Sequence, residues 1–363
     1  MSGGLDSSVA AWLLARQGQP VVGLSMLLWD AGEETGAPGG GRCCGALDLG
    51  DARQVAHQAG IPHYTLRLDG EFRERVVDPF VADYLAGRTP SPCVRCNTFV
   101  KFDLLLERAR ALGAERVATG HYARILPGAE GLELHRGVDA AKDQSYFLFE
   151  LSQQQLAAST FPLGGMRKEA VREVAREAGL VVADKGESME ICFVSGAVQE
   201  FVERQAAARP ERFAVAGGAE RLGAGSTLVD EAGERLGEGA PYYRYTVGQR
   251  RGLGIAAAQR RYVLRVLPEE NQVVVGGEEA LLARGLLGER LSWIGPPPAG
   301  EVDAEVRIRS RHAGVGCRVR PLPGRRVAVD FAAPQRGVAP GQAAVFYDGS
   351  RVLGGCWITD SRG

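Results

Sequence analysis

Ser2-Gly3-Gly4-Leu5-Asp6-Ser7-Ser8 sets two adjacent glycines and a carboxylate ahead of an apolar helical repeat, Val9, Trp12, Leu13 and Leu14. Glycine adopts backbone angles that other residues resist, so successive N–H groups can converge on one anion. A helix start adds free N–H groups and the positive end of the helix dipole. These residue types in this order suit phosphate binding. The sequence predicts a side-chain cap from Asp6, Ser7 or Ser8 and a helix stop at Gly18. The Gly-Lys-Ser/Thr ending of a Walker A loop is missing.

Thr89-Pro-Ser-Pro-Cys93-Val-Arg-Cys96-Asn97 is the second reactive stretch. Prolines stiffen the approach, and the cysteine spacing suits a zinc half-site, a redox pair, or a catalytic thiol with a helper. A helix expected over 98–112 would start just after the pair, and its N–H groups would lower a thiol pKa. No second Cys-x-x-Cys supports structural zinc; Cys43-Cys44 has the wrong spacing. Cys192, in Glu190-Ile-Cys192-Phe-Val, reads by itself as a core cysteine. His121 in Ala118-Thr-Gly120-His-Tyr-Ala reads equally as a structural residue or a functional one, and Lys142-Asp143-Gln144 as a capped helix start.

Positioning these groups requires an alternation of strands and helices. Strands are expected at 20–28, 61–68 and 116–123, and helices at 71–86, 98–112 and 168–179, with a further helix burying Ala52, Val55, Ala56 and Ala59. That order means an α/β domain with a doubly wound parallel sheet, whose ligands sit at the carboxyl ends of strands. A glycine cradle ordinarily follows a buried strand, so the sequence predicts a short apolar strand ahead of Met1, from an upstream start. The pattern changes after Phe201, and short alternating runs from about Gly285 suggest a small β-barrel. The expected division is 1–205, an α/β domain; 206–280, a small β-rich linker domain; and 281–363, the barrel.

No apolar run approaches membrane-span length, and seven cysteines in a long chain argue for reduced thiols, hence a cytoplasmic protein. With 43 basic against 44 acidic residues, bulk charge does not announce nucleic acid, but its distribution is uneven. Arg244, Arg250, Arg251, Arg260, Arg261 and Arg265 occur between Pro241 and Pro268 without an acid, interleaved with Tyr242, Tyr243, Tyr245 and Tyr262. A second cluster is Arg307, Arg309, Arg311, Arg318 and Arg320. Charge beside stacking surfaces suggests an RNA face; a solvated surface is the plain alternative.

The first stretch resembles the PP-loop, SGGxDS, of the N-type ATP pyrophosphatases. Together with GRTPSPCVRCN, ATGHYAR, KDQSYFL, EICF, TVGQRRGLG and PGQAAVFY in this order, it resembles the tRNA-specific 2-thiouridylases from Met1 to about Trp357. The resemblance implies a PP-loop ATPase domain, ATP with Mg2+, a tRNA anticodon stem-loop as substrate, and sulfur insertion at C2 of the wobble uridine after its adenylation. Ser2, Gly3, Gly4, Asp6, Ser7, Met26 and Gly120 would hold ATP. Cys96 takes the nucleophile's position and Cys192 that of the persulfide carrier; a Cys96–Cys192 disulfide ends each turnover. Ser91, Pro92, His121, Lys142, Asp143, Gln144, Arg250, Arg251, Arg309 and Gln342 are expected at the tRNA. The sulfur would come from a protein-borne persulfide, such as that of a cysteine desulfurase or relay protein.

Many of these enzymes carry Asp where this chain has Cys93. Three cysteines, Cys93, Cys96 and Cys192, make a [4Fe–4S] cluster with one open iron the alternative, as in a related group of tRNA thiolases. Two rivals stand further off. An amidating PP-loop ligase would leave the cysteines and arginines idle, and a tRNA-binding protein without catalysis would leave the loop idle. Cys43, Cys44, Cys317 and Cys356 receive no role.

Overall fold

The computed structural model describes residues 1–29, 46–186, 191–215, 219–255 and 260–363. Cys43 and Cys44 lie outside the described residues. The chain divides into two compact units: Met1–Val76 with Cys93–Ser195 and Ser350–Leu353, and Val77–Pro92 with Gly196–Gly349 and Gly354–Gly363. Among the described residues no helix is long and apolar enough to cross a membrane.

In the first unit, β1 (Gly23–Leu27) pairs in parallel with β2 (His63–Arg67). Further along the chain come β3 (Val117–Ala118), the antiparallel hairpin of β4 (Ala123–Gly128) and β5 (Gly131–Arg136), and β6 (Ser159–Thr160), which pairs in parallel with β3. The α/β reading therefore holds, with its parallel strands arranged as two pairs. Helices Leu5–Arg16, Ala46–Ala59 and Lys168–Glu177 share a core in which Val9, Val55, Val171 and Ala175 are fully buried. The inward face expected for the second of these, Ala52, Val55 and Ala56, is buried.

Three local readings change. The stretch expected as one helix over 71–86 contains a π-helical segment, Arg73–Val77, between Asp69–Phe72 and Asp78–Leu85. The helix expected to start at 98 starts at Pro92, whose ring pre-sets the first helical residue, and runs through a π segment, Cys96–Leu104. The strand expected over 116–123 stops at Ala118. There Gly120 leaves the ladder to approach the first helix, and Tyr122 takes both backbone bonds from Gln144.

The second unit holds a four-stranded sheet in the order β8-β7-β10-β9: β7 (Ser226–Val229), β8 (Arg235–Gly239), β9 (Tyr262–Leu267) and β10 (Gln272–Gly276). Six longer strands follow: β11 (Leu282–Trp293), β12 (Val302–Arg307), β13 (Val315–Leu322), β14 (Arg326–Arg336), β15 (Ala343–Asp348) and β16 (Arg351–Arg362). Their order, β11-β14-β13-β12-β15-β16, closes because β16 returns to β11. Closure pairs the outer strands β11 and β16 with each other, and Val319, Val327, Val329 and Val345 are fully buried. The composition shift near 206–213 does not coincide with the edge of a compact unit. Helix Val198–Ala208 packs within the second unit, with Phe201 against Phe80 and Arg209 on Asp78.

Candidate active site

The phosphate loop is built by close backbone contact. Gly3 has φ +70°, and a Cβ there would stand 2.0 Å from the Asp48 carbonyl oxygen. A Cβ on Gly120 would stand 2.7 Å from the Asp6 backbone carbonyl carbon and 2.8 Å from the Ser7 nitrogen. Both positions therefore require glycine, and Gly120 is brought to the loop as expected. The expected side-chain cap is not formed. Gly4 is the N-cap, with no side-chain bond to the first turn, because Asp6 and Ser7 are engaged elsewhere. Ser7 Oγ accepts from the Ser2 N–H at 3.0 Å and lies 3.1 Å from Ser2 Oγ. The first intrahelical bond is Ser8 N–H to Gly4 O, so the N–H groups of Leu5, Asp6 and Ser7 have no intrahelical acceptor. That is the donor set a phosphate needs.

Two lysines that the sequence reading passed over stand at this loop. Lys168, only 6% exposed, donates to both Asp6 carboxylate oxygens at 2.7 and 2.9 Å, and the Tyr122 hydroxyl donates to Asp6 at 2.9 Å. Lys185 donates to the Gly3 carbonyl at 2.8 Å and to Asp48 and Asp51. Burial works against its charge, but the two carboxylates override that and hold its pKa above the ordinary lysine value. Mg2+ keeps phosphate and water oxygens as most of its ligands, so a single carboxylate such as Asp6 is a sufficient protein contribution. The loop thus fits a magnesium–nucleotide complex. Met26, on β1, packs with Leu24 and Leu66 against Leu105 and Leu106.

Cys93 is exposed, Cys96 buried and Cys192 half-buried, all in the first unit. Since the helix begins at Pro92, Cys96 sits a turn inside it, without the free N–H groups that the sequence reading assigned to it. The Cys93 thiol is pushed up, by surrounding protein first and by the neighbouring Cys192 second, against a smaller pull from Lys101. The expected lowering of a thiol pKa by a helix start is therefore reversed at Cys93. Cys192 is fixed by its neighbour: Phe193 packs edge-on against Phe72 at 5.5 Å and near Trp29 at 6.3 Å. Among the described residues no three Cys, His, Asp or Glu side chains are grouped to hold a metal. The cluster alternative therefore has no grouped ligand set among the described residues.

The other expected site residues divide. His121 is 7% exposed, lies between Phe102 and Phe161, and shares a 2.7 Å hydrogen bond with Thr119. Burial, with a lesser push from Lys101, lowers its pKa well below 6.5. The unfolded chain therefore binds a proton that the folded chain refuses, so stability falls as pH drops below about 6.5. His121→Phe is expected to flatten this acid limb in denaturant melts at pH 5 to 7. Asp143 accepts from the N–H groups of Gly137 and Ser145 and from the Ser145 hydroxyl, the capped start that the sequence suggested. Gln144 braces Tyr122, and Lys142 is half-exposed. In the second unit, Gln342 donates to the carbonyls of Thr89 and Pro90 at 2.9 and 3.2 Å and so holds the loop containing Ser91 and Pro92, both buried.

The arginine clusters separate as well. Arg250, Arg251 and Arg260 are exposed, Arg261 is half-exposed, and none has an acidic partner among the described residues. Arg250, Arg260 and Arg261 line an open recess of about 350 Å³ with Gly252, Leu253, Gly254 and Ile255. Arg244 is instead neutralised by Glu203 at 2.6 Å. The tyrosines are not stacking surfaces. Tyr242, Tyr243, Tyr245 and Tyr262 are 0, 1, 3 and 3% exposed, and Tyr242 donates to the Leu85 carbonyl at 2.7 Å. Tyr242→Phe should cost about 1–2 kcal/mol by thermal melt with RNA affinity unchanged. In the second cluster Arg318 pairs with Asp303, and Arg320 with Glu301 and Asp330, so that part is a solvated ion-paired face. Arg307 bonds the backbone at His312 and Ser310. Arg309 is exposed and reaches the Arg336 carbonyl at 3.3 Å.

Residues 1–196 match the family described as tRNA methyl transferase HUP domain, residues 221–277 its PRC-barrel domain, and residues 283–358 an aminomethyltransferase beta-barrel domain. A tRNA-specific 2-thiouridylase MnmA of Geotalea uraniireducens is 49% identical over 99% of this chain and 93% of its own. That of Geobacter metallireducens is 50% identical over 99% and 95%. That of Solibacter usitatus is 47% identical over 99% and 97%. A solved NMN synthetase from Francisella tularensis is similar at TM-score 0.34 and 19% identity over 60% of this chain and 76% of its own, too slight a likeness to bear on the fold. With relatives this similar along nearly its whole length, the chain belongs to the tRNA-specific 2-thiouridylase family.

Proposed function

We propose that the chain is a tRNA-uridine 2-sulfurtransferase that spends ATP and draws sulfur from a cysteine persulfide. The observation that carries this reading is the presence, in one compact unit, of a glycine loop whose first-turn N–H groups lack intrahelical acceptors together with Cys96 and Cys192. Family membership supplies the substrate class. A carbonyl oxygen leaves C2 poorly until it carries a phosphoryl group. Uridine O2 therefore attacks the α-phosphorus of ATP, and pyrophosphate departs. The first-turn N–H groups stabilise the phosphate charge, and Lys168 holds the Asp6 carboxylate in place. The Cys96 thiolate then attacks the inner sulfur of the Cys192 persulfide. A Cys96–Cys192 bond forms, hydrosulfide leaves with the electron pair and adds to C2, and AMP departs with O2. A dithiol reductant restores both thiols before the next turnover. Exposed Arg250, Arg251, Arg260 and Arg261 suit the phosphates of an anticodon stem-loop. A single-stranded loop makes turning out the target base cheap.

The test is reconstitution of the full chain with ATP, Mg2+, tRNA and a persulfide-loaded desulfurase. The expected result is ATP-dependent 2-thiouridine with one pyrophosphate released per thiolated base. Pyrophosphate release independent of RNA would point to the amidating ligase instead. RNA binding without turnover would reduce the chain to a binding protein.

A further inference from the structure

Lys185 lies at the end of the turn that follows helix Lys168–Glu177, and its ammonium is spent on groups around the phosphate loop. It donates to the Gly3 carbonyl at 2.8 Å and to the Asp48 and Asp51 carboxylates, so its donors are all used. Both acids sit on helix Ala46–Ala59, the helix whose Asp48 carbonyl would stand 2.0 Å from a Cβ on Gly3. The Gly3 carbonyl and the Gly4 N–H belong to one trans peptide, so they point in opposite directions. Holding the carbonyl towards Lys185 therefore turns the Gly4 N–H to the opposite side of the loop. Two glycines in succession leave that peptide unit easy to rotate, and a rotated carbonyl would present its negative end to a phosphate.

We propose that Lys185 is a positioning residue of the nucleotide site: by holding the Gly3 carbonyl it makes the Gly4 N–H face the phosphates of ATP. The two carboxylates cancel its charge, so Lys185 acts through the peptide it orients and does not itself pull on the anion. An arginine would fit poorly, because its planar fork cannot direct single donors to three acceptors as an ammonium does. The inference rests on the nucleotide reading of the loop and adds to it the residue that sets the loop's geometry.

The experiment compares the full-length chain with K185M and K185R. MgATP binding is measured by calorimetry, KM for ATP and for tRNA is measured in the thiolation assay, and melting temperatures are recorded alongside. Loss of a hydrogen bond to a charged donor predicts an ATP Kd and KM raised about tenfold or more in K185M, with KM for tRNA within about twofold of the parent. K185R is expected to fall between the two, and it serves alone where K185M fails to fold. ATP affinity unchanged in the folded variants would overturn the inference. So would KM values for ATP and tRNA that rise together, since that marks a general structural loss. A parent chain that binds no ATP would overturn the nucleotide reading itself, an outcome distinct from binding that survives the substitution.

Discussion

Cys96→Ser and Cys192→Ser will each reduce 2-thiouridine formation on the order of a thousandfold or more, because the two thiols act as one unit on the sulfur. ATP binding should survive both changes, since neither residue contributes to the loop contacts around Gly3, Asp6 and Gly120. Cys93→Ser separates the mechanisms. Its pKa is pushed up, by the surrounding protein first and by Cys192 second, so it forms a thiolate less readily than an ordinary cysteine. Most activity should therefore remain in Cys93→Ser. The reading is checked by quantifying 2-thiouridine in tRNA treated with anaerobically purified protein, with iron and acid-labile sulfide measured on the same preparation. Equal loss in all three variants, with activity tracking iron content, would make the cysteines cluster ligands and retire the relay.

Gly3→Ala is the second large effect. Its Cβ would overlap the Asp48 carbonyl at 2.0 Å, and Gly3 has φ +70°, where an L-residue is strained. Strain and overlap with backbone together should cost about 3 kcal/mol or more, because no flexible side chain can move aside. Nucleotide binding should be lost even where the chain folds, since relief of the overlap must displace the loop. Gly18→Ala is the matched control. Gly18 has φ +72° but nothing within 4 Å of a built Cβ. It should cost only about 1 kcal/mol and leave ATP affinity unchanged. Equal effects at the two positions in melts and ATP titrations would show that backbone strain alone, and not the contact with Asp48, sets the cost.

Several features were legible because the physics behind them is local. The glycine pair before an apolar repeat foretold the tight loop that opens helix Leu5–Arg16, and the alternating runs after Gly285 foretold strands that close into the barrel. The helix start at Cys93–Cys96 was misplaced because the proline that begins it reads equally well as part of a stiff loop. The tyrosines near Arg250 misled for a related reason. A tyrosine beside arginines has the same composition whether its ring meets a base or a core, and here each ring is buried. In the second arginine cluster Arg318 and Arg320 lost their free charge to Asp303, Glu301 and Asp330, acids 10 to 19 residues away in sequence.

The sequence by itself determined the chemistry on offer: a glycine-built anion cradle, three thiols in two stretches, and a family resemblance spread over nearly the whole chain. It also held an unread signal. Lys101, Lys142, Lys168 and Lys185 are the only lysines among 43 basic residues, and two of the four stand at the glycine loop. Only the tertiary structure decided what two of those ammoniums do. Lys168 lies 162 residues from Asp6, and Lys185 lies 182 from Gly3. A hydrogen bond across that span leaves no local pattern of spacing or propensity, because it exists only after helices far apart in the chain have packed on one core.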